Sequence, residues 1–233
     1  MTPSVDLSIV IPFYNEEENV EKVCGDLSTE FTKHNIHYEI VAVNNGSYDK
    51  TPELLKKLSD KFPQIKVVTV EQNQGYGWGV IEGLKSASGN FLGYMAGDGQ
   101  IKPEDVVRVF EKIKTGGLDF CQGKRISRDD GALRKINSKI FNTLFQLFYP
   151  SPLTDIGSNP KIFTRSLYEK ISPVSKDWFI DSEFIIKSSS LGTKMSEVPL
   201  SFQKREKGSS HIKLSASFQM LKNILRWKFY GGK

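Results

Sequence analysis

Cysteine is scarce in this sequence, and the two cysteines that it contains, Cys24 and Cys121, form no CxxC motif. No secretory signal is recognisable, so nothing indicates an oxidising compartment in which they would pair. The sequence therefore predicts two buried free thiols in a protein of a reducing compartment.

Long apolar runs are absent as well, since no stretch approaches the ~20 consecutive apolar residues that a membrane-spanning helix needs. Residues 1–6 are too short and too polar for us to expect a targeting segment there. The sequence has no internal repeat and no low-complexity linker. Its 233 residues suit one domain with a sizeable core, alone or with a short appendage.

Negative charge is in deficit: 32 Lys and Arg residues face 27 Asp and Glu residues, which gives a formal net charge of +5 and a pI of about 9.0. A basic excess favours anionic partners, namely nucleic acid, nucleotides, phosphates or an anionic membrane surface. Composition alone does not choose among these partners.

Strand-like and helix-like segments alternate along the chain. Strands are predicted for residues 7–15, 38–47, 65–72, the stretch FLGYMAGD, and 119–125. Helical periodicity separates them and is clear in the apolar spacing of Val20, Val23, Leu27 and Phe31. This alternation predicts an α/β fold with a mainly parallel sheet and helices on both faces, whose ligands bind at the carboxyl ends of the strands.

The stretch YMAGDGQIKPED contains one aspartate, Asp98, where strand-end sites often have two. An aspartate after a buried strand often holds a metal or a sugar phosphate, and its usual partner two residues earlier is here Ala96. The alternative is that Asp98 only begins a turn with Gly99.

A glycine-rich stretch, NQGYGWG, precedes a predicted helix. Such a loop suits close approach to a phosphate, but its spacing is not the GxGxxG of dinucleotide-binding proteins. The alternative is packing of the helix against the sheet.

Several separate stretches resemble, in order, the motifs of family 2 glycosyltransferases of the GT-A fold. The similarity is to the branch that contains dolichyl-phosphate mannose synthase and related polyprenyl-phosphate glycosyltransferases, and it covers about residues 7–213. The matching stretches are SIVIPFYNEEENV, VNNGSYDKT, NQGYGWGVIEGL, GDGQIKPED, QGKR, TDIGSNPKIF and EVPLSFQKREKGSSH.

The resemblance implies a nucleotide-sugar donor and a divalent cation, Mg²⁺ or Mn²⁺. Asp98 would be the retained metal carboxylate and Gln100 an amide-oxygen ligand, while Ala96 departs from the family's DxD pattern. A hard cation that also binds phosphates needs only one or two protein carboxylates, so the departure is compatible with metal binding.

The resemblance also implies a nucleotide pocket at the ends of the first strands. Tyr14 would lie against the base and Glu16 would reach the ribose hydroxyls, while Asn45 replaces a base-reading aspartate. The implied nucleotide-binding residues are Pro12, Tyr14, Glu16, Val43, Asn45 and Gly97. Without the resemblance, the acids at 16–18 would simply favour a helix N-terminus, and Asn45 would belong to an Asn-Gly turn.

Basic residues would bind the donor diphosphate and the acceptor phosphate. Arg125 and Arg205 match family arginines, Arg134 matches less closely, and His211 stands where the family has a lysine, near Ser209. The alternative for each cation is a solvated surface charge.

Acidic residues in the stretch DWFIDSEF bear on whether the acceptor is a phosphate or a hydroxyl. A phosphate acceptor needs no general base, whereas a hydroxyl acceptor does; Asp181 is the candidate base in DWFIDSEF, although a helix start also favours acids there. The stretch DIGSNPK resembles a motif of the same branch, which implies that Asp155, Asn159 and Lys161 shape the acceptor side. The alternative is that Asp155 or Ser158 caps a helix.

Two segments, 134–150 and 215–233, combine apolar and aromatic residues with cations. Such helices suit a membrane interface, and the alternatives are packing on the sheet or a dimer contact. We therefore predict a GT-A domain at residues 1–213 and an amphipathic C-terminal helix at 214–233.

The predicted activity is transfer of a sugar from a nucleotide diphosphate to a polyprenyl phosphate. We expect inversion at the sugar, peripheral attachment to the cytoplasmic face of the membrane and no nucleic-acid partner, and homo-oligomerisation stays open. The alternatives are a family 2 transferase that glycosylates a hydroxyl of a glycan, and a catalytically weak nucleotide-sugar-binding relative.

Overall fold

The computed structural model describes residues 5–127, 132–203 and 222–229, without the side chains of residues 127 and 132–137. The strands are β1 Leu7–Phe13, β2 Tyr38–Asn45, β3 Ile65–Val70, β4 Phe91–Tyr94, β5 Phe120–Ser127, β6 Lys161–Thr164 and β7 Met195–Ser201. The helices are α1 Val20–Lys33, α2 Thr51–Lys61, α3 Tyr76–Ser86, α4 Pro103–Gly116, α5 Ala132–Phe148, α6 Arg165–Ile171, α7 Ile180–Ser190 and α8, residues 222–229.

Within these residues, seven strands form one sheet in the order β3-β2-β1-β4-β6-β5-β7. β1 runs parallel to β2 and β4, β2 to β3, and β5 to β7, whereas β6 runs antiparallel between β4 and β5. The chain order reverses between β1 and β4, and ligands of open α/β sheets bind in the crevice at such a reversal.

Helices cover both faces of the sheet, as the sequence predicts. One apolar layer contains residues of α1, α2 and α4, such as Phe31, Leu55 and Phe110. The opposite layer contains residues of α3, α5, α6 and α7, such as Val80 and Phe184. The predicted α/β class with a mainly parallel sheet is confirmed.

Both cysteines are free and buried, as predicted. Burial raises the pKa of the Cys24 thiol to about 12, and burial is also the main reason that the pKa of Cys121 rises to about 12. Protonated, inaccessible thiols are poor nucleophiles, so these two side chains serve packing.

Four predicted strands end earlier than expected, and one ends later. β1 stops at Phe13, β2 at Asn45, β3 at Val70 and β4 at Tyr94, so the residues that follow form loops at the carboxyl edge of the sheet, whereas β5 continues to Ser127. Three elements that were not predicted, β6, α6 and β7, complete the sheet and its cover. The early strand ends matter most, because they free the polar residues of the site.

α8 packs against the body of the protein through Ile224, which is fully buried, and through the partly buried Trp227. Trp227 contacts Phe179 at a ring-centroid distance of 5.6 Å, and Asn223 Nδ2 donates to Asp177 Oδ2 over 3.0 Å. In the part of the chain that the structure describes, no helix is long and apolar enough to cross a membrane. The predicted division at residue 213 remains a prediction.

Candidate functional site

The loops that follow β1 and β2 are joined by hydrogen bonds. The Asn15 backbone N–H donates to Ser47 Oγ over 3.1 Å, and the Tyr48 N–H donates to Asn15 Oδ1 over 3.0 Å. The Tyr14 ring meets Tyr48 edge-on, with centroids 6.1 Å apart. Tyr14, the predicted base contact, therefore lies at the edge where ligands of α/β sheets bind.

Glu16 is buried in front of α1. Its carboxylate accepts a hydrogen bond from Asn19 Nδ2 at 2.5 Å, and its backbone N–H donates to Thr51 Oγ1 at 3.0 Å. A Cβ on Gly99 would lie 3.6 Å from Asn19 Oδ1. Asn19 thus binds Glu16 and lies next to the loop that contains Asp98.

Asn45 is oriented by the glycine-rich loop. Its Nδ2 donates to the Gly75 carbonyl oxygen over 3.1 Å, and because a carbonyl only accepts, the amide orientation is fixed. Asn45 Oδ1 is left as a buried acceptor with no partner among the described residues. A Cβ on Gly79 would lie 3.0 Å from Asn45 Cγ and 3.1 Å from Pro12 Cβ, so α3 rests directly on both residues.

Val43 lies deeper than the other predicted nucleotide contacts. Its side chain is fully buried beneath α3, where a Cβ on Gly83 would meet both Val43 and Val10. Only the backbone of Val43 is therefore suited to meet a ligand at this edge.

The loop after β4 makes a tight turn at Asp98. The Gln100 N–H donates to Asp98 Oδ1 over 3.2 Å, and Gly99 has a φ of 73°, which favours glycine. A Cβ on Gly97 would lie 2.6 Å from the Phe13 ring, so this close approach requires glycine. Asp98 therefore does begin a turn with Gly99, and its role as a metal ligand stays a prediction.

Gln100 connects this loop to the end of β7. Its Nε2 donates to the Gln203 carbonyl over 3.0 Å, and the Gln203 N–H donates to the Gln100 carbonyl over 3.0 Å. With the amide nitrogen engaged, the amide oxygen is the atom of this side chain that suits a hard cation.

Arg125 is not a solvated surface charge. Its Nε donates to Asp155 Oδ2 over 2.7 Å and its Nη2 to Asp155 Oδ1 over 2.5 Å, and the guanidinium lies 5.6 Å from the centre of the Phe202 ring. Asp155 therefore orients Arg125 instead of capping a helix. A bidentate pair of this kind fixes the direction of the guanidinium.

Asp181 belongs to a buried polar cluster. Tyr94 Oη donates to Asp181 Oδ1 over 2.9 Å, and Lys161 Nζ lies 3.2 Å from the same oxygen. Lys161 Nζ also donates to the Ile156 carbonyl over 2.9 Å and to the Ser158 carbonyl over 2.5 Å. Burial lowers the pKa of Lys161 while Asp181 opposes that shift. Both contacts are made through Oδ1, and the role of Asp181 as a base stays a prediction.

Glu183 and Asp177, the other two acids of DWFIDSEF, make structural contacts. Glu183 is fully buried, accepts hydrogen bonds from the backbone N–H groups of Val174 and Ser175 at 2.9 and 2.7 Å, and pairs with Lys187 at 2.7 Å. Asp177 Oδ1 accepts from the Phe179 N–H at 2.9 Å, just before α7. These contacts hold the segment 174–179 in place.

That segment lies directly on the glycine-rich loop. A Cβ on Gly75 would lie 2.3 Å from the Lys176 carbonyl oxygen, and one on Gly77 would lie 2.2 Å from that of Ser175. The packing alternative is therefore confirmed for these glycines. The phosphate-binding interpretation of the loop stays a prediction.

Sequence reasoning did not identify Lys161 or Tyr94 as partners of Asp181. The predictions were only that Lys161 shapes the acceptor side and that Tyr94 lies in a strand, because a buried ion pair between distant elements leaves no local pattern. The sequence likewise gave no reason to single out Tyr76 within NQGYGWG, although it stacks on Trp178.

Several predicted residues are beyond what the structure describes. Arg205, Ser209 and His211 lie outside the described residues, and Arg134 lies in α5 without a described side chain. No group of three or more His, Cys, Asp or Glu side chains forms a ready-made metal site in the described part of the chain.

Two curated relatives match nearly the whole of this chain. The dolichol-phosphate mannosyltransferase of Pyrococcus furiosus is 31% identical over 97% of this chain and 65% of its own length. The dodecaprenyl-phosphate galacturonate synthase of Rhizobium johnstonii is 27% identical over 97% of this chain and 68% of its own. The chain thus spans about two thirds of the length of these curated relatives.

A solved structure shares the fold. Glucosyl-3-phosphoglycerate synthase from Mycobacterium tuberculosis, in complex with Mn²⁺, UDP-glucose and phosphoglyceric acid, matches with a TM-score of 0.78 and 19% identity over 96% of this chain and 79% of that chain. The predicted GT-A fold is confirmed. The sequence profile described as "Glycosyl transferase family 2" matches residues 8–172, and the chain therefore belongs to glycosyl transferase family 2.

Proposed function

We propose that this chain transfers a sugar from a nucleotide diphosphate to a polyprenyl phosphate, with the help of a divalent cation. The observation that carries the proposal is the convergence of the β1 and β2 loops, the Asp98 turn and the glycine-rich loop at one edge of a family 2 fold. The names of two relatives, a dolichol-phosphate mannosyltransferase and a dodecaprenyl-phosphate galacturonate synthase, support the lipid-phosphate acceptor.

On the donor side, Asp98 and the amide oxygen of Gln100 would hold Mg²⁺ or Mn²⁺. One carboxylate and one amide oxygen fit a hard cation whose remaining ligands are phosphate oxygens and water. The Mn²⁺ and UDP-glucose bound by the mycobacterial structure support this assignment. When bound, the cation neutralises the negative charge that develops on the departing diphosphate.

The nucleoside would lie at the ends of β1 and β2. Tyr14 offers an aromatic face for the base, and Glu16 offers carboxylate oxygens for the ribose hydroxyls. Asn45 and Gly97 would border the same pocket, with Pro12 at its base beneath Gly79.

On the acceptor side, an ionised phosphate oxygen attacks the anomeric carbon while the bond from that carbon to the diphosphate breaks. A phosphate acceptor requires no general base, which suits the engagement of Asp181 by Tyr94 and Lys161. Arg125, oriented by Asp155, would bind a phosphate oxygen together with Arg205. Attack from the face opposite the leaving group would invert the sugar.

The surface beside the site suits a membrane interface. Ile140 and Leu147 of α5 and Leu225 and Phe229 of α8 are exposed to 53, 73, 41 and 72%, respectively. Exposed cations accompany them on the same two helices: Lys139, Arg226 and Lys228. Apolar side chains beside cations are typical of helices that lie on an anionic leaflet, so we propose peripheral attachment at the cytoplasmic face.

An acceptor panel tests the proposal. The full chain is incubated with labelled UDP-glucose or GDP-mannose, Mn²⁺ or Mg²⁺, and one of three acceptors: a polyprenyl phosphate, the matching polyprenol, or a soluble oligosaccharide. We expect label on the polyprenyl phosphate alone. Label on the oligosaccharide would instead support the hydroxyl-glycosylating alternative, with Asp181 as the base.

A second candidate function rests on Ala96, which replaces the first acid of DxD. A relative that binds nucleotide sugars but scarcely turns them over would show donor binding without product on any acceptor. The same panel, run with a binding measurement, separates this outcome from the first.

A further inference from the structure

Tyr76, within the glycine-rich loop NQGYGWG, stacks on Trp178. It is the first residue of α3, and its ring lies on Trp178 with centroids 4.4 Å apart and an interplanar angle of 11°. Trp178 belongs to the segment that Glu183 and Asp177 hold in place. One face of the Tyr76 ring is therefore held against a fixed segment, which restricts the direction of the phenol.

The hydroxyl of Tyr76 is buried and has no hydrogen-bond partner among the residues that the structure describes. Burial raises its pKa well above the usual value, and the nearby charges of Asp181 and Asp98 raise it further. The group is thus a protonated donor within electrostatic reach of both carboxylates. The hydroxyl of Tyr94, by contrast, is already engaged by Asp181.

A buried donor without an acceptor is a costly feature that persists where a ligand supplies the missing partner. The missing partner of Tyr76 is a hydrogen-bond acceptor. A neutral hydroxyl suits this position, because it can accept from Tyr76 and donate in turn to a neighbouring acceptor.

We propose that the hydroxyl of Tyr76 binds a sugar hydroxyl of the donor, which makes Tyr76 a specificity residue for the sugar and not for the nucleotide. The proposal rests on the proposed function, in which the diphosphate occupies the cation site at Asp98. The sugar is the next part of the donor towards the acceptor side, where Asp181, Lys161 and Arg125 lie.

The test is Tyr76→Phe in the full chain, which removes the hydroxyl and retains the stacking on Trp178. The matched control is Tyr38→Phe, because the Tyr38 hydroxyl donates to the Ser28 carbonyl over 3.3 Å and its ring packs on the layer of α1 and α2. Calorimetric titration in the presence of Mn²⁺ measures the affinities for a nucleoside diphosphate and for the corresponding nucleotide sugar. The pair is UDP with UDP-glucose or GDP with GDP-mannose, whichever binds the parent protein.

We expect Tyr76→Phe to bind the nucleoside diphosphate within about twofold of the parent and the nucleotide sugar roughly five- to tenfold more weakly, the effect of one neutral hydrogen bond. The melting temperature without ligand should equal or exceed that of the parent, because an unsatisfied donor is removed. Tyr38→Phe should leave both affinities unchanged.

Unchanged affinity for the nucleotide sugar would overturn the proposal, and equal losses for both ligands would assign the contact to the diphosphate instead. A lower melting temperature with no selective loss would mark a structural role. If the parent binds no nucleotide sugar, both the proposed function and this inference fail. If the parent binds the nucleotide sugar but Tyr76→Phe does not weaken that binding more than it weakens binding of the nucleoside diphosphate, only this inference fails.

Discussion

Asp98 and Ala96 lie two residues apart at the carboxyl end of β4, and their difference in charge sets the expected affinity for metal. One carboxylate in a tight turn provides a weak cation site, and phosphate oxygens would complete it. Mn²⁺ and a nucleoside diphosphate should therefore bind the parent synergistically.

Ala96→Asp should restore the missing charge. We expect it to bind Mn²⁺ in the absence of nucleotide roughly tenfold or more tightly than the parent, because ligand charge tunes the affinity of oxygen sites. Calorimetric titration with Mn²⁺, with and without UDP, measures both forms. Equal Mn²⁺ affinity in the two forms would show that residue 96 does not face the cation.

Lys161 is expected to stabilise the folded protein. Lys161→Met leaves Asp181 buried without its cation and releases the carbonyls of Ile156 and Ser158, so we expect a loss of about 3–5 kcal/mol in the free energy of unfolding. Urea denaturation measures it. The double variant Lys161→Met, Asp181→Asn should recover part of the loss, and a single-variant loss below about 1 kcal/mol would contradict the account.

At the scale of elements, the glycine-rich loop packs between α3, β2 and the segment that precedes α7. Gly77 has no room for a side chain, because a Cβ would lie 2.2 Å from the Ser175 carbonyl oxygen. Gly25, within α1, has nothing within 4 Å of a Cβ. The two glycines therefore provide a matched pair of substitutions.

Gly77→Ala should destabilise the protein by about 1–3 kcal/mol, the usual cost of overpacking, and should weaken nucleotide-sugar binding by moving Tyr76. Gly25→Ala should stabilise it by about 0.5–1 kcal/mol, as expected for a helix interior. Urea denaturation and calorimetry check both variants. A Gly77→Ala protein as stable as Gly25→Ala would refute the tight contact.

The sequence predicted the parallel core well because apolar periodicity is a local property. α4 begins at Pro103 with Glu104 and Asp105 in its first turn and ends before Gly117 in the left-handed conformation, all of which are local signals. β6 was not predicted, since its four residues begin with Lys161, whose partner Asp181 is distant in the sequence.

The site was predicted unevenly for the same physical reason. The positions of Asp98 in the loop after β4 and of Arg125 near the end of β5 follow from chain order, whereas the partners that orient them do not. The pairing of Arg125 with Asp155, the engagement of Asp181 and the stacking of Tyr76 on Trp178 all join distant segments. Motifs locate residues, but only tertiary packing determines which of their atoms are engaged.

At the scale of the molecule, α5 and α8 combine a buried contact with an exposed apolar surface. Ile224 and Phe145 are fully buried, while Leu147 and Phe229 are exposed. Deleting the C-terminal segment would therefore expose core as well as remove the proposed membrane contact. Substitutions on the exposed side chains separate the two effects.

Leu147→Glu combined with Phe229→Glu should release the protein from anionic vesicles while leaving nucleotide binding unchanged. Loss of apolar contact and repulsion from the lipid charge both act in this direction. Cosedimentation with phosphatidylglycerol-containing vesicles at low and high salt measures it. The control is Leu191→Glu, an exposed residue after α7; equal release by the control, or no release by the double variant, would contradict membrane attachment through this surface.

The most direct test of the central claim is the rate of sugar transfer from a nucleotide sugar to a polyprenyl phosphate by the parent and by Asp98→Asn, in saturating Mn²⁺. The account predicts a lipid-linked product for the parent and a rate about a hundredfold or more lower for Asp98→Asn, the scale of losing a key electrostatic stabiliser. If Asp98→Asn transfers the sugar as fast as the parent, Asp98 serves only to form the turn, and the claim is contradicted.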